Sequence, residues 1–213
     1  MTRYTAEQVE TSPAFRPLNK LSYDSILPFV WMNIRENNFA SRFYLFINVL
    51  YLVFLAGISL TGFLIHGFHT GPYFSYLIWG TLAGSFAVVP VHEALHGLAY
   101  KLIGAPRIHF GADMRQMLFY VAADRYVVGR NDFYFIALAP FIGINVIAFI
   151  IAFFLSGYWH IFFVAFLLFH NIMCIGDFAM ISYFMKYPGK ELYTFDDHKN
   201  RTSYIYERVR ENG

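Results

Sequence analysis

Charge and cysteine are what this chain has least of. Only 14% of its 213 residues are charged, against roughly 25% in an ordinary soluble domain, while 57% are hydrophobic and 21% aromatic. An ordinary soluble globular chain is excluded on that balance. A single cysteine, Cys174, rules out an internal disulfide and a cysteine-based zinc knuckle. The net charge of +2, with no basic run and no interleaving of basic and aromatic residues, gives nucleic acid nothing to hold, so no nucleic-acid partner is expected. Residues 1–43 are mixed and polar, without a short apolar core followed by a small-residue cleavage site. No cleaved signal peptide is expected, and the first long apolar segment should act as its own anchor.

Long apolar runs are what the chain has instead. Four are long enough to cross a bilayer as helices: Tyr44 to His66, Tyr73 to about Tyr100, Phe133 to Leu155, and Trp159 to Met185. All 16 lysines and arginines fall in three places: before the first run, between Lys101 and Arg130, and from Lys186 onward. The connections Gly67 to Pro72 and Ser156 to Tyr158 have none. Because positive residues favour the cytoplasmic side, both termini and the long middle connection are expected in the cytoplasm. The expected fold class is an all-α membrane protein of four transmembrane helices, and the lipid bilayer is its expected surrounding. Its organisation is a cytoplasmic arm (1–43), a transmembrane domain (44–185) and a cytoplasmic tail (186–213).

Two shorter stretches stand apart. Ser25 to Met32 is apolar but too short to cross, and reads as an interfacial segment with Trp31 at headgroup level. Met117 to Val128 is rich in aromatic and branched residues, which favours a short strand-like hairpin or re-entrant segment at the membrane surface. Asn131 or Asp132 would then cap the third span.

Of the 14 acidic residues, only Glu93 and Asp177 lie inside predicted spans, and no lysine or arginine does. A carboxylate within the bilayer is costly unless paired, neutralised or metal-bound, so each marks a candidate site. Residues 92–96 read His-Glu-Ala-Leu-His, the HExxH pattern. On a helix, His92 and His96 share one face, where two imidazoles reach a single zinc ion. Glu93, about 100° round the helix, is the residue that in such sites takes a proton from the attacking water.

A catalytic zinc site needs a third protein ligand and one open position. Helical rise supplies the candidate. His96 and His92 lie roughly 8 and 14 Å from the cytoplasmic end of the second span, and Asp177 roughly 14 Å from that of the fourth. His170, on the same face as Asp177 but about 10 Å further outward, reads first as a hydrogen-bonded core histidine, and otherwise as a positioning residue or a substitute ligand. Cys174 reads first as a small packing residue. Asn145 and Asn171 are polar groups within spans that need partners there. Pro90 would loosen the second span just ahead of the motif, and Pro140 would free a backbone carbonyl at about the depth of the metal.

His92, Glu93 and His96 within a span, with Asp177 in a later one, resemble the site-2 protease group of intramembrane zinc metalloproteases. The likeness is closest to small bacterial membrane proteins classed as zincin peptidases. It covers roughly Tyr73 to Met185. Ala137 to Pro140 with Asn145 looks like that group's Pro and Asn signature on the middle core helix. The sequence departs from the group at the third ligand, where Gly176-Asp177 stands in place of Asp-Gly, with Asn171 upstream. The resemblance implies a three-helix metalloprotease core and one Zn2+ per chain, held by His92, His96 and Asp177 with Glu93 as general base. It further implies a membrane-protein or peptide substrate and a place in the bacterial cytoplasmic membrane. The ligand set itself would also accept iron, cobalt or manganese. Two other readings use the same residues: a zinc transport or sensory protein, and a family member without activity.

Overall fold

The computed structural model describes residues 4–113 and 118–209; Arg3, Arg115, Met117 and Arg210 lie outside them. Eight α-helices and six strands follow one another along the chain: α1 (Ala6–Thr11), β1 (Phe15–Ser22), α2 (Ile26–Asn33), α3 (Phe39–Leu64), α4 (Thr70–Leu82), α5 (Val89–Leu102), β2 (His109–Asp113), β3 (Leu118–Ala122), β4 (Val128–Gly129), α6 (Arg130–Phe153), α7 (Tyr158–Met173), α8 (Ile175–Met185), β5 (Glu191–Asp197) and β6 (Thr202–Arg208).

Helices α3 and α6 are each long and apolar enough to cross a membrane alone. Two bent pairs qualify only when taken together, α4 with α5 (41°) and α7 with α8 (46°), so the candidate crossings among the described residues number two to four. Both bends have local causes. Before α5 the chain makes a π-helical turn over Ala83–Ala87, and Pro90 then removes the N–H that would bond the carbonyl four residues earlier. Between α7 and α8 the helix breaks at Cys174, which leaves Asp177 in the first turn of α8. The positive end of a helix dipole favours a carboxylate there.

Two glycines allow α4 and its π-turn to lie directly on α7. A Cβ at Gly80 would come within 2.3 Å of the Phe162 carbonyl oxygen, and one at Gly84 within 2.2 Å of the Phe166 carbonyl oxygen. On the other side of the bundle, polar groups tie α2, α3 and α8 together. Asn38 Nδ2 donates to Ser182 Oγ at 2.7 Å, and the Ser182 hydroxyl donates to the Asn33 carbonyl at 2.6 Å.

The all-α expectation does not hold. Strands β1, β6, β5 and β4 form a four-stranded antiparallel sheet in that order, and β2 pairs antiparallel with β3. The N-terminal arm and the C-terminal tail therefore share a sheet, with Phe15 opposite Arg208 and Ser22 opposite Thr202. In β5, Leu192, Thr194, Phe195 and Asp197 are buried. Phe195 packs with Phe15, Val9 and Tyr206 beneath α1, whose start is fixed by a reciprocal Thr5–Gln8 capping box. Helix α6 opens at Gly129 rather than at Asn131 or Asp132, because β4 runs straight into α6.

Candidate metal centre

The bend before α5 and the break before α8 bring the two histidines of the motif against Asp177. His96 Nε2 lies 3.3 Å from Asp177 Oδ1, His92 Nε2 lies 3.4 Å from Asp177 Oδ2, and the two Nε2 atoms are 3.1 Å apart. A zinc ion with tetrahedral bonds of about 2.0–2.1 Å separates its ligand atoms by about 3.3 Å, the edge of this triangle. Direct charge-assisted hydrogen bonds would be shorter, about 2.7–2.9 Å.

The tautomer of His96 argues the same way. Its Nδ1 is 3.0 Å from the carbonyl oxygen of Ile136, and a carbonyl only accepts, so Nδ1 carries the proton. In the neutral ring Nε2 is then a bare lone pair aimed at Asp177 and His92, which cannot donate to either. Such a nitrogen is complete only with a cation before it. The ring, held from behind by a carbonyl, has the support that metal-binding imidazoles ordinarily receive.

Ile136 has that carbonyl to offer because of Pro140. Four residues on, Pro140 has no N–H with which to close the helical bond to Ile136. His92 is held from behind by another ring, its Nδ1 lying 3.2 Å from His170 Nε2. His170 is fully buried and sits beside this imidazole rather than joining the His92–His96–Asp177 group.

His92, His170 and Cys174 form a second group within ligand reach of one another. Cys174 Sγ lies 3.7 Å from His170 Nε2, and both residues have no exposed surface. That arrangement leaves no open position for water, whereas His92, His96 and Asp177 open on a cleft.

Asn145 and Asn171 meet each other. Asn145 Nδ2 donates to Asn171 Oδ1 at 2.7 Å, and Tyr51 Oη donates to Asn145 Oδ1 at 2.9 Å, so the pair joins α6, α7 and α3. This satisfies two amides that would otherwise be stranded in an apolar bundle.

The cleft, about 260 Å³, is lined by Glu93 together with His92, His96 and Asp177. Phe119, Tyr120 and Val121 of β3 form one wall, and Ile26, Phe29 and Val30 of α2 another. Tyr100, Asp196 and Ser203 also line it. Sequence reasoning missed Asp196 and Ser203, which face each other across β5 and β6. No local pattern in 191–197 marks them.

Neither curated proteins nor solved structures gave a match to this chain. A family model described as "Putative zincin peptidase" matches residues 85–192, about half of the chain, from the π-turn before the HExxH helix into β5. It takes in His92, Glu93, His96, Pro140, His170 and Asp177, and the chain belongs to this zincin peptidase family.

Proposed function

We propose that the protein is an intramembrane zinc metallopeptidase of site-2-protease-like architecture, hydrolysing peptide bonds of membrane-embedded or membrane-proximal substrates. The observation that carries this reading is the triangle of 3.1, 3.3 and 3.4 Å made by His92 Nε2, His96 Nε2 and Asp177, at the head of a cleft that also contains Glu93. Each bent helix pair counts as one crossing in this reading, giving four spans. Charge distribution puts both termini, the sheet and the 103–129 connection in the cytoplasm. Within the N-terminal arm and the C-terminal tail, strands β1 and β6 then join as part of a cytoplasmic cap on the transmembrane domain 44–185. Helix α2 lies at the headgroups, its Leu27, Trp31 and Met32 exposed and the Arg35 guanidinium 3.8 Å above the Trp31 ring.

His92, His96 and Asp177 would hold the zinc. Bound there, zinc supplies a Lewis acid that polarises the scissile carbonyl and makes water acidic enough to lose a proton near neutral pH. The Glu93 carboxylate takes that proton and delivers it to the leaving amine nitrogen. Ile136 and His170 hold the two imidazoles so that each presents Nε2 to the cleft. A helical substrate hides its amides in intrahelical bonds and must unwind first. Strand β3 has one partner among the described residues, β2, and lines the cleft, so its other edge offers main-chain groups to an extended segment.

The test is a comparison of membrane peptides in cells carrying the wild type and Glu93→Gln. The variant is expected to keep zinc and to accumulate a transmembrane fragment that the wild type removes. Identical peptide profiles in the two strains, with the wild type expressed and zinc-loaded, would refute the reading.

A further inference from the structure

Asp196 lines the same cleft as His92, His96 and Asp177, near Tyr100, in surroundings that lack a counter-ion. Its Oδ1 accepts a hydrogen bond from the Ser203 hydroxyl, and among the described residues no lysine or arginine lies within ion-pair distance of it. Burial pushes the carboxyl above its ordinary value, the Ser203 hydroxyl opposing this and the Asp124 carboxylate adding to it. Two tyrosine rings stand by. Tyr100 on α5 and Tyr120 on β3 line the same cleft, and Tyr120 packs edge-on against Tyr23 at 5.0 Å. A desolvated carboxylate walled by aromatic faces is the environment that receives an ammonium or guanidinium group.

Its place along the substrate path can also be read. Tyr100 follows His96 by one helical turn, about 6 Å toward the cytoplasmic end of α5. A chain extended along β3 advances about 3.3 Å per residue, so a side chain at the level of Tyr100 belongs to a residue about two positions from the scissile bond. Transmembrane segments carry lysine and arginine at their cytoplasmic ends.

We infer that Asp196 is a specificity residue, which receives a lysine or arginine just to the cytoplasmic side of the scissile bond. The substrate class is therefore transmembrane segments with a basic cytoplasmic flank. This inference rests on the peptidase reading, because the position it names is defined relative to the bond cut.

The experiment uses the full chain reconstituted in phosphatidylcholine vesicles, which carry no net charge, and three synthetic transmembrane peptides identical except for Lys, Gln or Glu at one flanking position. Binding is measured with Glu93→Gln and cleavage with the wild type. The Lys peptide should bind at least about tenfold more tightly than the Glu peptide, as expected for a partly desolvated charge pair. Adding Asp196→Asn should bring that ratio close to one, and Asp196→Lys should reverse it, while Asp196→Glu keeps it. Zinc content identifies a variant that has failed to fold, and if Asp196→Asn fails, the ratios in the Glu93→Gln parent and with Asp196→Glu still decide. Equal binding of the three peptides, or a preference untouched by Asp196→Asn in zinc-loaded protein, overturns the inference. Selective binding without any cleavage by the wild type upholds Asp196 as a cation-binding residue and instead removes the peptidase reading.

Discussion

The ring of His96 and the backbone of Ile136 are joined by a hydrogen bond of 3.0 Å that exists because a proline stands four residues further along α6. An ordinary residue at 140 would place an N–H against the Ile136 carbonyl and compete with the imidazole for it. Pro140 thus acts on the metal centre without touching it, by deciding which donor the carbonyl receives.

Replacing Pro140 with alanine is therefore expected to straighten α6 locally and weaken zinc binding by about 10–100-fold, the usual effect of losing a group that orients a metal-binding histidine. Competition with a chromophoric chelator measures this. Zinc affinity equal to the wild type would show that His96 does not depend on the freed carbonyl.

His170 and Cys174 separate two uses of the same corner of the structure. If His170 orients His92, then His170→Leu should lower zinc affinity by about 10–100-fold, since the Nδ1–H of His92 would be buried without an acceptor. Cys174→Ser should leave zinc affinity unchanged. Zinc loss in the cysteine variant would instead favour the group formed by His92, His170 and Cys174.

Asp196 should make stability depend on pH in a definite direction. Burial raises its folded-state pKa, so its contribution is most favourable below the unfolded value of about 3.9 and declines as pH rises through the folded value. Asp196→Asn removes that decline and preserves an oxygen for Ser203. Thermal melts of the two proteins should converge near pH 4, and the variant should melt a few degrees higher at pH 7. A variant equally or less stable at pH 7 would mean that the carboxylate is already paired in the fold.

Much of the site could be read from the sequence because the membrane makes every charge conspicuous. Glu93 and Asp177 are the two carboxylates within predicted apolar spans, and a count of helical rise put Asp177 level with the motif. Pro140 was legible by the same logic, since a proline within a helix must free a carbonyl one turn back. The sheet was not. Its strands are polar, and segments such as Phe15–Ser22 and Thr202–Arg208 look like charged tails until each is seen to pair with the other. Their pairing spans nearly the whole chain, from Phe15 to Arg208, and no local pattern announces a partner so distant. Asp196 was hidden with them, because its place in the cleft comes from the sheet and not from any nearby motif. The role of His170 turned on ring orientation. Axial distance set it apart from Asp177, and side-chain geometry brings its Nε2 to the far nitrogen of His92.

X-ray absorption at the zinc edge, on the purified full-length protein, addresses the identity of the ligands most directly. One zinc per chain is expected, surrounded by nitrogen and oxygen at about 2.0–2.2 Å with imidazole outer-shell scattering and no sulfur. The metal should be lost in Asp177→Ala. A sulfur shell at about 2.3 Å, or full zinc occupancy in Asp177→Ala, would contradict a centre built from His92, His96 and Asp177.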